Sequence, residues 1–157
     1  MKSFIKTASL AAIFCLSSAC ISLSHEELEF LTELEACGIS KTDQAIRSPG
    51  TAGALAALPG AGNFYLAANT WASWQWLAGA ANLIFWPLSP VWAVPQTITD
   101  ANSINMRETA YYYRYNPHGR AHLAKVQQRM RFDTNTSCGR GMPIEAPTAT
   151  YPAERFS

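Results

Sequence analysis

The stretch NLIFWPLSPVWAVPQ, residues 82–96, carries no charged side chain but contains two tryptophans and three prolines. Proline lacks a backbone N–H, so it interrupts helices and is excluded from central strands. An apolar segment with so many breaks is typical of a membrane-associated helix that ends at the membrane interface. We therefore expect a helix to end near Phe85 and Trp86 and to be followed by an irregular exit through Pro95.

This stretch belongs to a window of 52 residues, 48–99, that has no charged side chain. A water-soluble domain rarely leaves so long a gap, because its turns must meet water. Residues 76–94 are long enough to cross a hydrocarbon core, although alanine and glycine contribute little to insertion. The window is therefore predicted to form a membrane-associated helical hairpin, with a single crossing of the inner membrane as the alternative topology. Its indole rings favour a membrane interface, and all five tryptophans of the chain lie in it: Trp71, Trp74, Trp76, Trp86 and Trp92.

The N-terminus has the layout of a secretory signal over residues 1–19, with a basic start, an apolar run and small residues before the cut. The string LSSAC, residues 16–20, resembles the lipobox of bacterial lipoproteins. This resemblance implies cleavage before Cys20, a diacylglyceryl thioether on its sulfur and acylation of the new amino group. Because Ile21 and not aspartate follows, it also implies an outer-membrane lipoprotein that faces the periplasm, with the inner membrane as the alternative. A plain cleaved signal is the other interpretation.

Charges and cysteines are distributed unevenly along the rest of the chain. Residues 20–47 hold six acidic side chains against two basic ones, whereas residues 101–157 hold eight basic against four acidic. Cys37 and Cys138 are the cysteines left after the signal and the lipidation position. An oxidising compartment favours a disulfide between them, which would be worth up to roughly 4–5 kcal/mol through loop closure. Two unpaired thiols are the alternative, since spacing does not fix connectivity.

The segment SHEELEFLTELEACG, residues 24–38, is predicted to be an amphipathic helix. Ser24 and Glu27 form a capping box, and Gly38 is expected to end the helix. Its apolar side chains recur at helical spacing, which is typical of a packing surface.

Two more helices are predicted after the charge-free window. TDANSINMRETAYYYRY, residues 99–115, is expected to be capped by Thr99 or Asp100. Asn116 caps the next helix, NPHGRAHLAKVQQRMRF, with Pro117 at its first position. A mixture of tyrosine and arginine suits a boundary between polar and apolar surroundings, so the first of these helices is predicted to place three tyrosines at the membrane interface: Tyr111, Tyr112 and Tyr113.

The predicted fold class is therefore all-α. Its five segments are a signal peptide at 1–19, a lipidated N-terminus with an amphipathic helix at 20–47, a hydrophobic hairpin at 48–99, interfacial helices at 100–132 and a loop-rich flexible tail at 133–157.

The strings LPGAGNFYL (58–66), LIFWPLSPVW (83–92) and DANSINMRETAYYY (100–113) resemble a group of small, poorly characterised bacterial lipoproteins with a TM2-like hydrophobic helical hairpin. The resemblance implies a helical hairpin and a location in the cell envelope. It implies no catalytic residues.

Motifs for catalysis or nucleotide binding are absent from the sequence. His118 and His122 share one helix face, but a zinc site needs three or four ligands. We predict no enzyme, no cofactor, no metal and no nucleic-acid partner. The most favoured function is that of a non-catalytic envelope lipoprotein, a structural or assembly component that meets membrane lipid and other envelope proteins. A periplasmic module that binds lipid or another hydrophobic ligand is the alternative, and a metal-dependent enzyme is a remote third.

Overall fold

A computed structural model describes residues 21–72, 74–130 and 138 of the chain. Every regular element of this part is a helix, which confirms the predicted all-α class. The predicted signal peptide, Cys20 and all of the predicted tail except Cys138 lie outside the described residues. The helices are α1 (His25–Ala36), α2 (Pro49–Ala56), α3 (Ala61–Ala67), α4 (Gln75–Ile84), α5 (Pro90–Tyr115) and α6 (Pro117–Met130).

The described residues form two compact units. Unit 1 comprises residues 21–22 and 46–104, and unit 2 comprises residues 23–45 and 105–130 together with Cys138. Helix α5 contributes its first part to unit 1 and its last part to unit 2. The boundary between the units therefore falls inside the segment predicted as interfacial helices. Unit 2 contains both the predicted N-terminal helix and the C-terminal part of the described chain.

Helix α1 of unit 2 has the predicted beginning and end. The Glu27 N–H donates to Ser24 Oγ at 3.2 Å, and the Ser24 N–H donates to Glu27 Oε2 at 2.8 Å, which completes the capping box. After α1, Gly38 adopts φ +76° and its N–H bonds the Glu35 carbonyl, while the Ile39 N–H bonds the Leu34 carbonyl at 3.0 Å. This is the Schellman motif, and its left-handed residue favours glycine.

The core of unit 2 is apolar and is built from α1, the last part of α5 and α6. At the border of this core, Glu27 also forms a salt bridge with Arg107, whose Nε lies 2.9 Å from Glu27 Oε1. A disulfide joins Cys37 to Cys138 across 101 residues of sequence. The buried core side chains are Leu31, Leu34, Cys37, Ile39, Ala110, Tyr113 and Leu123.

Unit 1 is packed through small residues. A Cβ atom on Gly62 of α3 would lie 2.8 Å from the Cβ of Ala56 in α2, and one on Gly53 would lie 2.7 Å from Ile98 in α5. Small side chains at these positions let the helix backbones approach closely. Apolar side chains fill the remaining core: Ile21, Ala52, Leu66, Ala72, Ala101 and Ile104.

Helix α5 corrects the prediction for its region. It begins at Pro90, where the missing N–H has no helical partner to lose, and it continues through Pro95. The predicted exit at Pro95 and the predicted cap at Thr99 or Asp100 are therefore wrong. Proline is tolerated here because the carbonyl that loses its partner belongs to Val91, a residue 79% exposed to solvent.

The αL conformation at Gly38 gives a test of the α1 terminus. We expect Gly38→Ala to lower the free energy of unfolding by about 1–2 kcal/mol, because alanine is strained at positive φ. The measurement is urea unfolding followed by far-ultraviolet circular dichroism. Gly50→Ala is the matched control. Gly50 is helical, and an added Cβ would make an ordinary contact with Ser48 Oγ at 3.9 Å, so the same change should stabilise by about 0.4–1 kcal/mol. An equal, small effect of both substitutions would contradict the assignment.

Candidate functional site

Helix α4 has a polar buried face and an apolar exposed face, which is the opposite of most surface helices. Its buried face carries Gln75, Gly79 and Asn82, which are spaced i, i+4 and i+7. Its outer face is apolar, and Leu77 and Ile84 are 76% and 77% exposed. A helix at the surface of a water-soluble domain turns its apolar residues inward. Helix α4 instead buries its polar side chains and presents its apolar ones to the surroundings.

The first part of α5 adds two polar side chains to the interior of unit 1. Thr97 and Asp100 lie on its buried face, and neither has any exposed side-chain surface. Val91 near the start of α5 is 79% exposed, whereas Ile98, about two turns later, is 37% exposed and lies next to Gly53 of α2. The buried face of α5 is therefore mixed, since Ala93, Ala101 and Ile104 are buried with these two residues, and the reversal belongs to α4.

The inner face is organised as a chain of side-chain hydrogen bonds. Trp92 Nε1 donates to Asn82 Oδ1 at 2.9 Å, and Asn82 Nδ2 donates to Asn63 Oδ1 at 2.8 Å. Asn63 Nδ2 then donates to Gln75 Oε1 at 2.6 Å, and Gln75 Nε2 donates to Asp100 Oδ2 at 2.7 Å. We call these five side chains the amide relay. It joins α3 and α4 to two positions of α5.

The direction of the amide relay is set by its two ends. The indole of Trp92 can only donate, and a carboxylate at Asp100 can only accept. Each of the three carboxamides between them must therefore accept on the Trp92 side and donate on the Asp100 side. Any amide turned the other way would bring two donors or two acceptors together, so the ends determine the orientation of every member.

Asp100 is the buried acidic group of unit 1. Its second oxygen, Oδ1, accepts the backbone N–H of Ile21 at 3.1 Å, and Ile21 is itself buried in the core. Burial raises the pKa of the Asp100 carboxyl above its ordinary value near 3.8, and the hydrogen bonds from Ile21 and Gln75 oppose that rise. The carboxyl thus links the beginning of the described chain to the amide relay.

The outer apolar side chains form a surface that we call the apolar corner. It includes two of the tryptophans predicted at a membrane interface, Trp76 and Trp86. The other three, Trp71, Trp74 and Trp92, are partly buried, and the first two of these pack against the core of unit 1. The apolar corner lies on α4, the turn after it and the start of α5, and its members are 38–79% exposed: Trp76, Leu77, Leu83, Ile84, Phe85, Trp86, Leu88 and Val91.

The tyrosines predicted at the interface lie in unit 2. Tyr111 is partly exposed, and its ring packs beside Tyr115 with centroids 5.5 Å apart. Tyr112 packs edge-on against Tyr113 at 5.2 Å. The prediction for Tyr113 needs correction, because this side chain is 2% exposed and belongs to the core of unit 2.

Tyr113 is held by two polar side chains. The Tyr113 hydroxyl donates to Asp43 Oδ2 at 2.9 Å. The Nδ1 atom of His122 lies 3.1 Å from the hydroxyl oxygen of Tyr113. Because the hydroxyl has one hydrogen, donation to Asp43 leaves it as the acceptor for an N–H of His122. Burial, and then the bond to Asp43, raise the pKa of Tyr113, so this phenol is kept protonated and serves as a structural anchor.

The histidine pair considered for a metal does not gather further ligands. His122 contacts Tyr113, and the backbone N–H of exposed His118 bonds the cap residue Asn116 at 2.9 Å. Residues 21–72, 74–130 and 138 contain no group of three or more histidine, cysteine or acidic side chains placed to hold a metal ion.

Two further findings bear on the site. Within the described residues, no helix combines the length and the apolar character needed to cross a membrane. Comparison of the chain with protein-family models, with curated proteins and with solved structures gave no match. The resemblance to lipoproteins with a TM2-like hairpin stays a prediction.

The amide relay was not foreseen from the sequence. Gln75 and Asn82 are spaced i, i+7 inside a charge-free window, which is the signal that could have indicated a polar helix face. Asp100 was interpreted as a helix cap, because the start of α5 ten residues earlier is hidden by three prolines.

The opposed ends of the amide relay predict coupling between distant positions. Asp100→Asn places an NH2 donor against the NH2 group of Gln75. If all three carboxamides turned over to avoid this, the NH2 group of Asn82 would face the N–H of Trp92, so two donors would still meet. We expect this substitution to lower the free energy of unfolding by about 1–3 kcal/mol. In a Trp92→Phe background the donor at that end is gone, so Asp100→Asn should cost less by about 1 kcal/mol or more. Urea unfolding of the four proteins measures the coupling.

Thr70→Val is the control for this cycle, because Thr70 bonds the Leu66 carbonyl and shares no partner with Trp92. Its effect should add to that of Trp92→Phe within about 0.5 kcal/mol. Additive effects of Asp100→Asn and Trp92→Phe would show that the amides are not held in one direction.

The raised pKa of Asp100 predicts a pH dependence of unit 1. The folded state holds the proton more tightly than the unfolded chain, so the contribution of Asp100 to stability is fully present below the unfolded pKa and is lost as pH rises through the folded one. Between the two pKa values the free energy of unfolding should fall by about 1.4 kcal/mol per pH unit. Tryptophan fluorescence during urea unfolding reports unit 1, and Asp100→Asn should abolish this slope. An unchanged slope in Asp100→Asn would assign it to another group.

Proposed function

We propose that this protein is a non-catalytic lipoprotein of the bacterial cell envelope, held to a membrane by a lipid on Cys20 and by the apolar corner. The observation that supports this most is the reversal of α4, which buries Gln75 and Asn82 and exposes Leu77 and Ile84. In lipid, polar side chains turn to the protein interior and apolar ones face outward. Helix α4 follows that rule and not the rule for helices in water.

The size and composition of the apolar corner support contact with a bilayer. A large contiguous apolar surface on a soluble protein marks an interaction site. Here the surface lies within the charge-free window, so no charged side chain in its sequence opposes entry into the acyl region. Helix α4 has 10 residues and is therefore about 15 Å long, roughly half the thickness of a hydrocarbon core. We propose that the apolar corner dips into one leaflet.

The rest of the chain supports an exported location. Disulfides persist in oxidising compartments such as the periplasm, and Cys37 and Cys138 are joined in unit 2. A lipidated Cys20 followed by Ile21 favours the outer membrane, with the protein facing the periplasm. In this proposal the protein is a structural or assembly component, with membrane lipid as its first partner and other envelope proteins as further partners.

Fractionation of cells tests both attachments. The protein should be found with membranes and should incorporate palmitate. A Cys20→Ser chain, exported by a signal that is cleaved independently of Cys20, should lose the palmitate but still bind membranes through the apolar corner. Adding Leu77→Gln, Ile84→Gln and Trp86→Gln to this chain should release it from membranes. Each substitution removes an apolar side chain that would otherwise be buried in lipid, which weakens binding by roughly tenfold or more.

Leu28, Ile46 and Leu58 provide the matched control. They are also large, apolar and exposed, but they lie outside the apolar corner. Their triple substitution by glutamine in the Cys20→Ser chain should leave membrane binding as it was. Equal release by both triples would deny the apolar corner a specific role, and a chain that takes up no palmitate would overturn the lipoprotein assignment.

A further inference from the structure

The described chain begins inside the core of unit 1. Ile21 is 7% exposed and packs with Leu66, Ala101 and Ile104. Its backbone N–H is bonded to Asp100 Oδ1 at 3.1 Å, across 79 residues of sequence. Residue 21 is therefore fixed by both its side chain and its backbone.

Asp100 is itself held in place. Its other oxygen is bonded to Gln75, which continues through the amide relay to the Trp92 indole. Asp100 has no exposed surface, so it cannot follow Ile21 outward without losing these bonds to the interior. The contact between Ile21 and Asp100 is thus one end of a network that spans unit 1.

Cys20 is one peptide bond from this contact. Cys20 directly precedes Ile21 in the sequence, so no spacer residue separates the predicted lipid attachment point from the fixed residue. A flexible spacer of ten residues would by contrast allow a reach of roughly 33 Å. The amide that Asp100 binds is the first peptide N–H that a chain cleaved before Cys20 would possess.

From these contacts we infer that Asp100 is a positioning residue for the lipid anchor, and that the bilayer receiving the Cys20 lipid is also the partner of the apolar corner. The inference rests on the proposed function and adds a mechanism to it. Asp100 holds the Ile21 N–H, the lipid is thereby attached to unit 1 without a tether, and α4 meets the bilayer in one orientation. Trp76 and Trp86 are then held at the depth of the acyl chains.

The tryptophans give a direct readout of this arrangement. Purified full-length lipoprotein is placed in phosphatidylethanolamine–phosphatidylglycerol vesicles with brominated acyl chains, which quench indoles that enter the acyl region. Ile21→Pro removes the N–H that Asp100 binds, whereas Ile21→Ala keeps the N–H and loses comparable packing. We expect Ile21→Ala to be quenched as the unchanged protein is, and quenching in Ile21→Pro to fall by roughly half or more as the corner samples undocked positions. Both variants should still float with the vesicles, since the attached acyl chains are unaltered.

A second variant keeps unit 1 untouched. Insertion of Gly-Ser-Gly-Ser between Cys20 and Ile21 retains the bond to Asp100 but adds a tether of up to about 13 Å. Quenching should fall as it does for Ile21→Pro, while the urea midpoint of unit 1 stays unchanged. Full quenching in both the proline and the spacer variants would overturn the role of Asp100 and leave the lipoprotein assignment standing. Failure of the unchanged protein to float with vesicles would instead overturn the proposed function.

Discussion

The hydrogen bonds that converge on the Asp100 carboxylate are the constraint on which unit 1 depends. One oxygen binds the start of the described chain and the other binds the amide relay, so a single buried acid connects Ile21, α3, α4 and α5. A buried charge without partners would be strongly destabilising. The network that satisfies it therefore determines which faces of the helices must turn inward.

This requirement explains why α4 is reversed. Gln75 and Asn82 must point inward to carry the chain of bonds. Gly79 lies between them, and a Cβ at this position would clash with the ring of Phe64. On a helix of 3.6 residues per turn, the inner face then has no room left for large apolar residues. Leucine, isoleucine and tryptophan occupy the outer face, so the polar inner face and the apolar outer face of α4 are two results of one pattern.

The elements that were predicted correctly are those whose signals are local. Ser24, Glu27 and Gly38 fix both ends of α1 by short-range bonds, and Asn116 with Pro117 fixes the start of α6. The start of α5 was missed because tolerance of Pro95 depends on the exposure of Val91, which sequence does not show. The amide relay was missed because its bonds join residues 10 to 25 positions apart in sequence. Such pairings depend on how the helices pack, and no local pattern specifies them.

The two units differ in which side chains their helices bury. In unit 2, α1 buries Leu31 and Leu34 and exposes Glu26 and Glu29, as a helix in water does. In unit 1, α4 does the opposite, within a stretch that has no charged side chain. Because the reversal lies in α4 of unit 1, the proposed contact with lipid is a property of that unit and not of the whole chain.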